Sequence, residues 1–251
     1  MIDLHLIGIG TGNPDHLTRA AERAMNAADL ILLPRKGTAK SDLVDLRRML
    51  CAAVLTGATR VVEYDQPERD DAGGYLDGVA RWHEVIADVW AAEIAAHLSA
   101  GGRMALLVWG DPSLYDSTLR IAERLSARGL ALRVSVVPGI SSVQALTAAH
   151  AIPLNALGAP VLVTTGRRLR DGGWPDGVDT LVVMLDGGCA FEVLEPDGIA
   201  IWWGAYLGMP QEALLAGPLG ETGPVILRER AALRARHGWI MDVYLLRRGA
   251  A

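Results

Sequence analysis

A chain of 251 residues with 51% hydrophobic and 21% charged residues is long enough for one large or two ordinary domains, and its balance excludes a disordered chain. Its formal charge of −5 repels polyanions, so nucleic acid is not an expected partner, and its two cysteines, Cys51 and Cys189, stand too far apart in sequence for a CxxC zinc ribbon or a disulfide scaffold. No apolar run has the length of a membrane span and no basic-then-apolar leader opens the chain, so the expectation is a cytoplasmic protein with no membrane partner.

The first predicted strand, 2–8, empties into Gly8-Ile9-Gly10-Thr11-Gly12-Asn13. A glycine-rich loop there lets backbone N–H groups approach a ligand that side chains would block. A dinucleotide fingerprint wants a third glycine where Asn13 stands, and an acidic residue at the end of the second strand, 29–33, where Pro34-Arg35-Lys36 follow. Both departures count against NAD. Thr18 is placed to cap a helix over 19–28, and 42–55 sets Leu43, Leu46, Leu50 and Val54 on one helical face. After a strand at 60–64 comes a long helical segment, 75–98, whose Trp82, Ile86, Val89 and Ile94 read as packing residues.

The strand 103–108 runs into Trp109-Gly110-Asp111-Pro112-Ser113-Leu114-Tyr115, and the strand 132–137 into Pro138-Gly139-Ile140-Ser141-Ser142 and an Ala-rich helix to Ala149. Singly, Asp111 is an ordinary turn residue and Ser141 or Ser142 an ordinary helix cap. Together with the first loop they leave the carboxyl ends of strands, where open α/β sheets bind ligands. The Pro- and Gly-rich segment 152–160 is the candidate linker. Domains are therefore expected at 1–154, α/β with a mostly parallel sheet, and at 155–251, mixed α/β with strands at 161–165, 180–185, 199–206 and 240–246. The Arg-rich stretch 228–237 reads as a solvated helix face.

Gly8-Ile9-Gly10-Thr11-Gly12 with Leu17-Thr18, then Trp109-Gly110-Asp111-Pro112, then Val137-Pro138-Gly139-Ile140-Ser141-Ser142 through to Ile152-Pro153-Leu154, resemble in this order the tetrapyrrole (corrin and porphyrin) methyltransferase family. Leu181-Val182-Val183-Met184, the segment 214–219 and Gly223-Pro224-Val225-Ile226 resemble its later motifs, so the likeness covers nearly the whole chain. It implies two α/β domains with S-adenosylmethionine in the cleft between them, a small-molecule tetrapyrrole substrate and a homodimer. Residue by residue, it implies that Thr11, Trp109, Gly110, Asp111, Leu114, Tyr115, Ser141, Ser142, Met184, Gly217 and Val225 contact the cofactor. Related members carry Pro where Thr11 stands, and the uroporphyrinogen methyltransferases carry an Asp where Pro34 stands, so the proton acceptor implicated there does not transfer.

The segments 40–48 and 61–70 resemble a branch of the family whose implied reaction removes an acetyl group as acetate and methylates the same ring carbon. Such a reaction needs a base to position water and a donor for the developing oxyanion. Asp15, His16, Glu63, Tyr64 and Asp65, each assigned to a loop at a strand end, are the candidates. The substrate's carboxylates want cations, and Arg35, Lys36, Arg167 and Arg168 follow predicted strands. None of the six histidines has metal-ligand spacing, so no metal is expected. Competing readings are a sibling methyltransferase acting at another ring position or on ribosomal RNA, an NAD-dependent oxidoreductase, and a non-catalytic carrier.

Overall fold

The computed structural model describes residues 1–35, 41–69 and 74–249. They form two compact units, Met1–Ser141 and Ser142–Ala251. In the first, β1 (Ile2–Gly8), α1 (Arg19–Ala27), β2 (Leu30–Arg35), α2 (Ser41–Val54), β3 (Arg60–Asp65), α3 (Tyr75–His97), β4 (Gly102–Val108), α4 (Thr118–Ala127) and β5 (Leu132–Val137) follow one another along the chain. The five strands are all parallel, in the order β3-β2-β4-β1-β5.

Apolar runs such as Leu30-Ile31-Leu32-Leu33 suit a sheet covered on both faces. Leu4, Leu6, Leu30 and Leu32 pack with Ile86 and Trp90 of α3, while Ile7, Ile31 and Leu33 pack with Met25 of α1 and Leu50 of α2. Thr18 caps α1 as expected, its hydroxyl accepting from Ala21 N–H at 3.0 Å. Because every strand points the same way, all five carboxyl ends, and the loops that leave them, lie on one edge of the sheet.

The second unit holds α5 (Ser142–Ala149), β6 (Val161–Thr165), α6 (Gly166–Gly172), β7 (Thr180–Met184), β8 (Ile199–Ala205), β9 (Ala213–Pro218), α7 (Leu219–His237) and β10 (Asp242–Arg248). Its sheet runs β6-β7-β10-β8-β9, with only β6 and β7 parallel. The division between units falls ahead of the 152–160 segment because α5 belongs to this second sheet. A Cβ on Gly204 of β8 would come within 2.9 Å of Leu146, and His150 Nε2 lies 3.0 Å from Trp203 O. Strand β9 is an addition to the sequence reading: it is an edge strand alternating half-buried and exposed residues, and its Gly217-Pro218 end has the composition of a turn. The Arg-rich helix face also needs correction at one residue, since Arg230 is buried and paired with Asp242 at 2.8 Å. Among the described residues no helix is long and apolar enough to cross a membrane.

Candidate active site

The register puts Gly8 opposite Val108, and Ile7 opposite Val137, so the loops after β1, β4 and β5 start side by side. They are held by backbone approaching backbone. A Cβ on Gly139 would lie 2.2 Å from Gly110 O and 2.8 Å from Gly8 Cα, and one on Gly8 would lie 2.6 Å from Gly139 N. Only glycine at positions 8 and 139 permits this contact. Gly10 and Gly110 then bridge, with Gly110 N–H donating to Gly10 O at 2.8 Å and Gly10 N–H to Gly110 O at 3.3 Å.

Asp111 pins two of these loops together. One carboxylate oxygen accepts from Gly139 N–H at 2.9 Å, and the other accepts from Ser113 N–H at 2.8 Å and from the Ser113 hydroxyl. Burial pushes this carboxyl up, but the hydrogen bonds from Ser113 and Gly139 together outweigh it and hold the group below the usual carboxylate range. Around it Trp109 and Leu114 are half-buried, Ser141 is buried, and Tyr115 is 45% exposed with φ of 52°. The Trp109 indole N–H is buried and, among the described residues, has no hydrogen-bond partner, an open donor on the loop.

The first loop is not built for a dinucleotide. The Gly10 amide is spent on Gly110, and the glycines do not lead straight into α1, which starts only at Arg19. Asn13 caps a short 3-10 turn, Pro14–His16, by accepting from Asp15 N–H at 2.9 Å. Thr11 is buried, with its hydroxyl 2.8 Å from His16 Nδ1, and the His16 Cβ sits where a Gly10 side chain would have to go. Asp15 is exposed and His16 half-buried.

The other three candidate bases lie within β3, not in a loop, and each is already occupied. Glu63 takes a two-pronged pair from Arg48, Nε at 2.6 Å and Nη2 at 2.7 Å, which holds its carboxyl below the usual range. Asp65 pairs with Arg35 at 2.9 Å. Tyr64 is buried, donates to Gln66 Oε1 at 2.9 Å and accepts from Trp90 Nε1 at 3.1 Å, and burial pushes its hydroxyl up to about 12. Of the candidate cations, Arg35 is thus bound to Asp65, Arg167 and Arg168 are exposed on α6 of the second unit, and Lys36 lies outside the described residues.

A family model for tetrapyrrole (corrin/porphyrin) methylases matches residues 3–223. The chain belongs to this family. It is 49% identical over 248 residues, 98% of its length and 95% of the relative's, to a precorrin-6A synthase (deacetylating) from a Sinorhizobium species. Its structure is similar to that of a cobalamin synthesis related protein (CobF) from Corynebacterium diphtheriae, at TM-score 0.84 and 38% identity over 99% of each chain. A uroporphyrin-III C-methyl transferase from Thermus thermophilus, complexed with S-adenyl homocysteine, shares the fold at TM-score 0.59 and 20% identity, covering 97% of this chain and 96% of its own.

In this tetrapyrrole methylase the second unit's candidates are more scattered than the first unit's loops. Ser142 opens α5, Met184 closes β7, and Val225 is part-exposed on α7. Gly217 lies on β9 opposite Ile201, which through β10 is level with Leu181 of β7. Three positions along and three strands across therefore separate it from Met184. Glycine is required at 217 locally, since its φ is 154° and a Cβ would meet the Thr222 hydroxyl at 2.6 Å. Sequence reasoning did not anticipate the three-glycine contact or the Thr11–His16 pair. Nor did it single out Arg47, although a charge at the fourth position after Leu43, on the apolar stripe of α2, was a visible signal.

Proposed function

We propose that this tetrapyrrole methylase is an S-adenosylmethionine-dependent C-methyltransferase of cobalamin biosynthesis, converting precorrin-5 to precorrin-6A by methylating C1 and releasing the acetyl group as acetate. The observation that carries this reading is the end-to-end likeness to precorrin-6A synthase (deacetylating). In the same reading the protein works in the cytoplasm as a homodimer. An adenine, two ribose hydroxyls and a carboxylate ask for an apolar slot with a few fixed hydrogen-bonding groups. The loops 109–115 and 138–141 offer that set: Leu114, the exposed Tyr115 ring, the Ser141 side chain and the open Trp109 N–H. S-adenosylmethionine, when bound, supplies a methyl already activated for in-line displacement. The chain's own task is to hold the carbon nucleophile close and exclude water.

Deacylation needs a base that is not already neutralised. Glu63 and Asp65 are held by arginines, and Tyr64 keeps its proton far above neutral pH. His16 fits best, because Thr11 engages Nδ1 at 2.8 Å and fixes the ring. With Nδ1–H donating to the Thr11 hydroxyl, Nε2 is the acceptor that positions water on the acetyl carbonyl. Incubation with precorrin-5 and S-adenosylmethionine should yield acetate and S-adenosylhomocysteine in equal amounts. Methyl transfer without acetate would instead identify a sibling enzyme. His16→Ala should lower acetate release by about 10²-fold or more; release at the wild-type rate removes His16 from the mechanism.

A further inference from the structure

Helix α2 buries Val44, Leu50 and Cys51, and Arg47 lies on the same stripe. Its Nε donates to Leu107 O at 3.1 Å and its Nη1 to Leu43 O at 3.1 Å. Leu107 O is available because β2 leaves β4 early. Pairing between them runs only from Leu30–Leu32 to Met104–Leu106, although β2 continues beside β3 to Arg35 and β4 continues to Val108. The carboxyl edge of the sheet opens at this seam, and Arg47 stands in it.

Among the described residues no carboxylate forms an ion pair with Arg47, and Nη2 has no hydrogen-bond partner. The next residue on the helix behaves differently: Arg48 is paired with both Glu63 and Asp45. Burial pulls the Arg47 guanidinium below its ordinary value, with Tyr64 and Asp116 the main groups opposing that. A half-buried cation with no carboxylate partner among the described residues is retained where a ligand brings the anion. The planar fork of guanidinium matches carboxylate in particular.

We infer that Arg47 binds one acid side chain of the tetrapyrrole substrate at the seam between β2 and β4. The inference rests on the proposed tetrapyrrole substrate. It places that contact on the opposite flank of β4 from the glycine bridge, so the carboxylate of S-adenosylmethionine is not the anion.

The test compares wild type, Arg47→Gln and Arg47→Lys in acetate release from precorrin-5, in S-adenosylmethionine binding by calorimetry, and in binding of uroporphyrin, a stable octacarboxylate, by fluorescence quenching. Loss of a charge-assisted contact should raise KM for precorrin-5 and the uroporphyrin dissociation constant by about 10- to 100-fold in Arg47→Gln. The value of kcat and the S-adenosylmethionine affinity should stay within about threefold. Arg47→Lys, which keeps the charge and loses the fork, should fall between the two, and it carries the test if Arg47→Gln does not fold. A folded variant with wild-type KM and uroporphyrin affinity overturns the inference, as does a loss confined to S-adenosylmethionine. If wild type releases no acetate, the proposed reaction fails, and the uroporphyrin titrations still decide Arg47.

Discussion

On its β1 side, strand β4 stays paired to its last residue, Val108 opposite Gly8, and the chain beyond folds back to bridge Gly110 with Gly10. On its β2 side, pairing stops at Leu106 opposite Leu32, and a guanidinium takes the next carbonyl. One strand end thus has a closed flank made of backbone and an open flank made of side chains. A backbone contact has no slack, because the atoms that would have to move are fixed by the sheet, whereas a side chain in a seam has rotamers to give. The closed flank suits a fixed set of loops around a cofactor; the open flank suits recognition of a variable, acidic substrate.

Adding a methyl to the closed flank should do the most damage. Gly139→Ala puts a Cβ 2.2 Å from Gly110 O, so one of two sheet-anchored loops must move. We expect a loss of about 3 kcal/mol or more in urea unfolding and no measurable S-adenosylmethionine binding by calorimetry. Gly57→Ala, where a Cβ meets nothing within 4 Å, should stay within about 0.5 kcal/mol of wild type.

On the open flank, β3 carries the buried Tyr64, and its signature is alkaline. Burial raises its hydroxyl from an ordinary 10.0 to about 12, so the folded state holds the proton more tightly than the unfolded chain. The stability this represents is complete below pH 10 and is lost as pH rises from there to about 12. The rise corresponds to about 2.7 kcal/mol across that window. Tyr64→Phe should remove this slope from unfolding free energies measured between neutral and alkaline pH. At neutral pH it should cost about 1–2 kcal/mol, because Trp90 Nε1 loses its acceptor.

Asp111 gives the matching acid signature on the closed flank. Its carboxyl is held below the usual range, so its contribution is present above pH ~4 and fades as pH falls through the lower folded value. Asp111→Asn keeps the shape and loses the charge that Gly139 N–H and Ser113 address. The expected loss is about 1.5 kcal/mol at neutral pH. The difference from wild type should shrink at pH 3, read from urea midpoints.

The closed flank was largely legible in the sequence and the open flank was not. Gly8, Gly110 and Gly139 follow apolar runs at strand ends, and such punctuation is local. What it did not show is that the three glycines touch one another, since that depends on β1 lying between β4 and β5. Strands and helices of the first unit could be placed within a few residues because each apolar run is bounded by turn residues. The edge strand β9 could not, because its exposed alternation and its Gly217-Pro218 end imitate a loop. The role of Arg47 was hidden for a different reason: it depends on where two strands part, and periodicity carries no information about that. Likewise Glu63 and Asp65 looked like free carboxylates until the fold brought Arg48 and Arg35 beside them.

That last point yields the smallest effect and a sharp check on the assignment of roles. If Glu63 serves only to hold Arg48, then Glu63→Gln removes a partly exposed surface pair and should cost less than about 1 kcal/mol. Acetate release should be unchanged, because a carboxylate already neutralised by a two-pronged arginine is a poor acceptor for water's proton. Arg48 itself would keep Asp45 as a partner at 2.6 Å, so α2 and the neighbouring Arg47 should stay in place. A drop of tenfold or more in acetate release, with the fold intact, would move the base from the turn after β1 to β3 and make the open flank the seat of the deacylation chemistry.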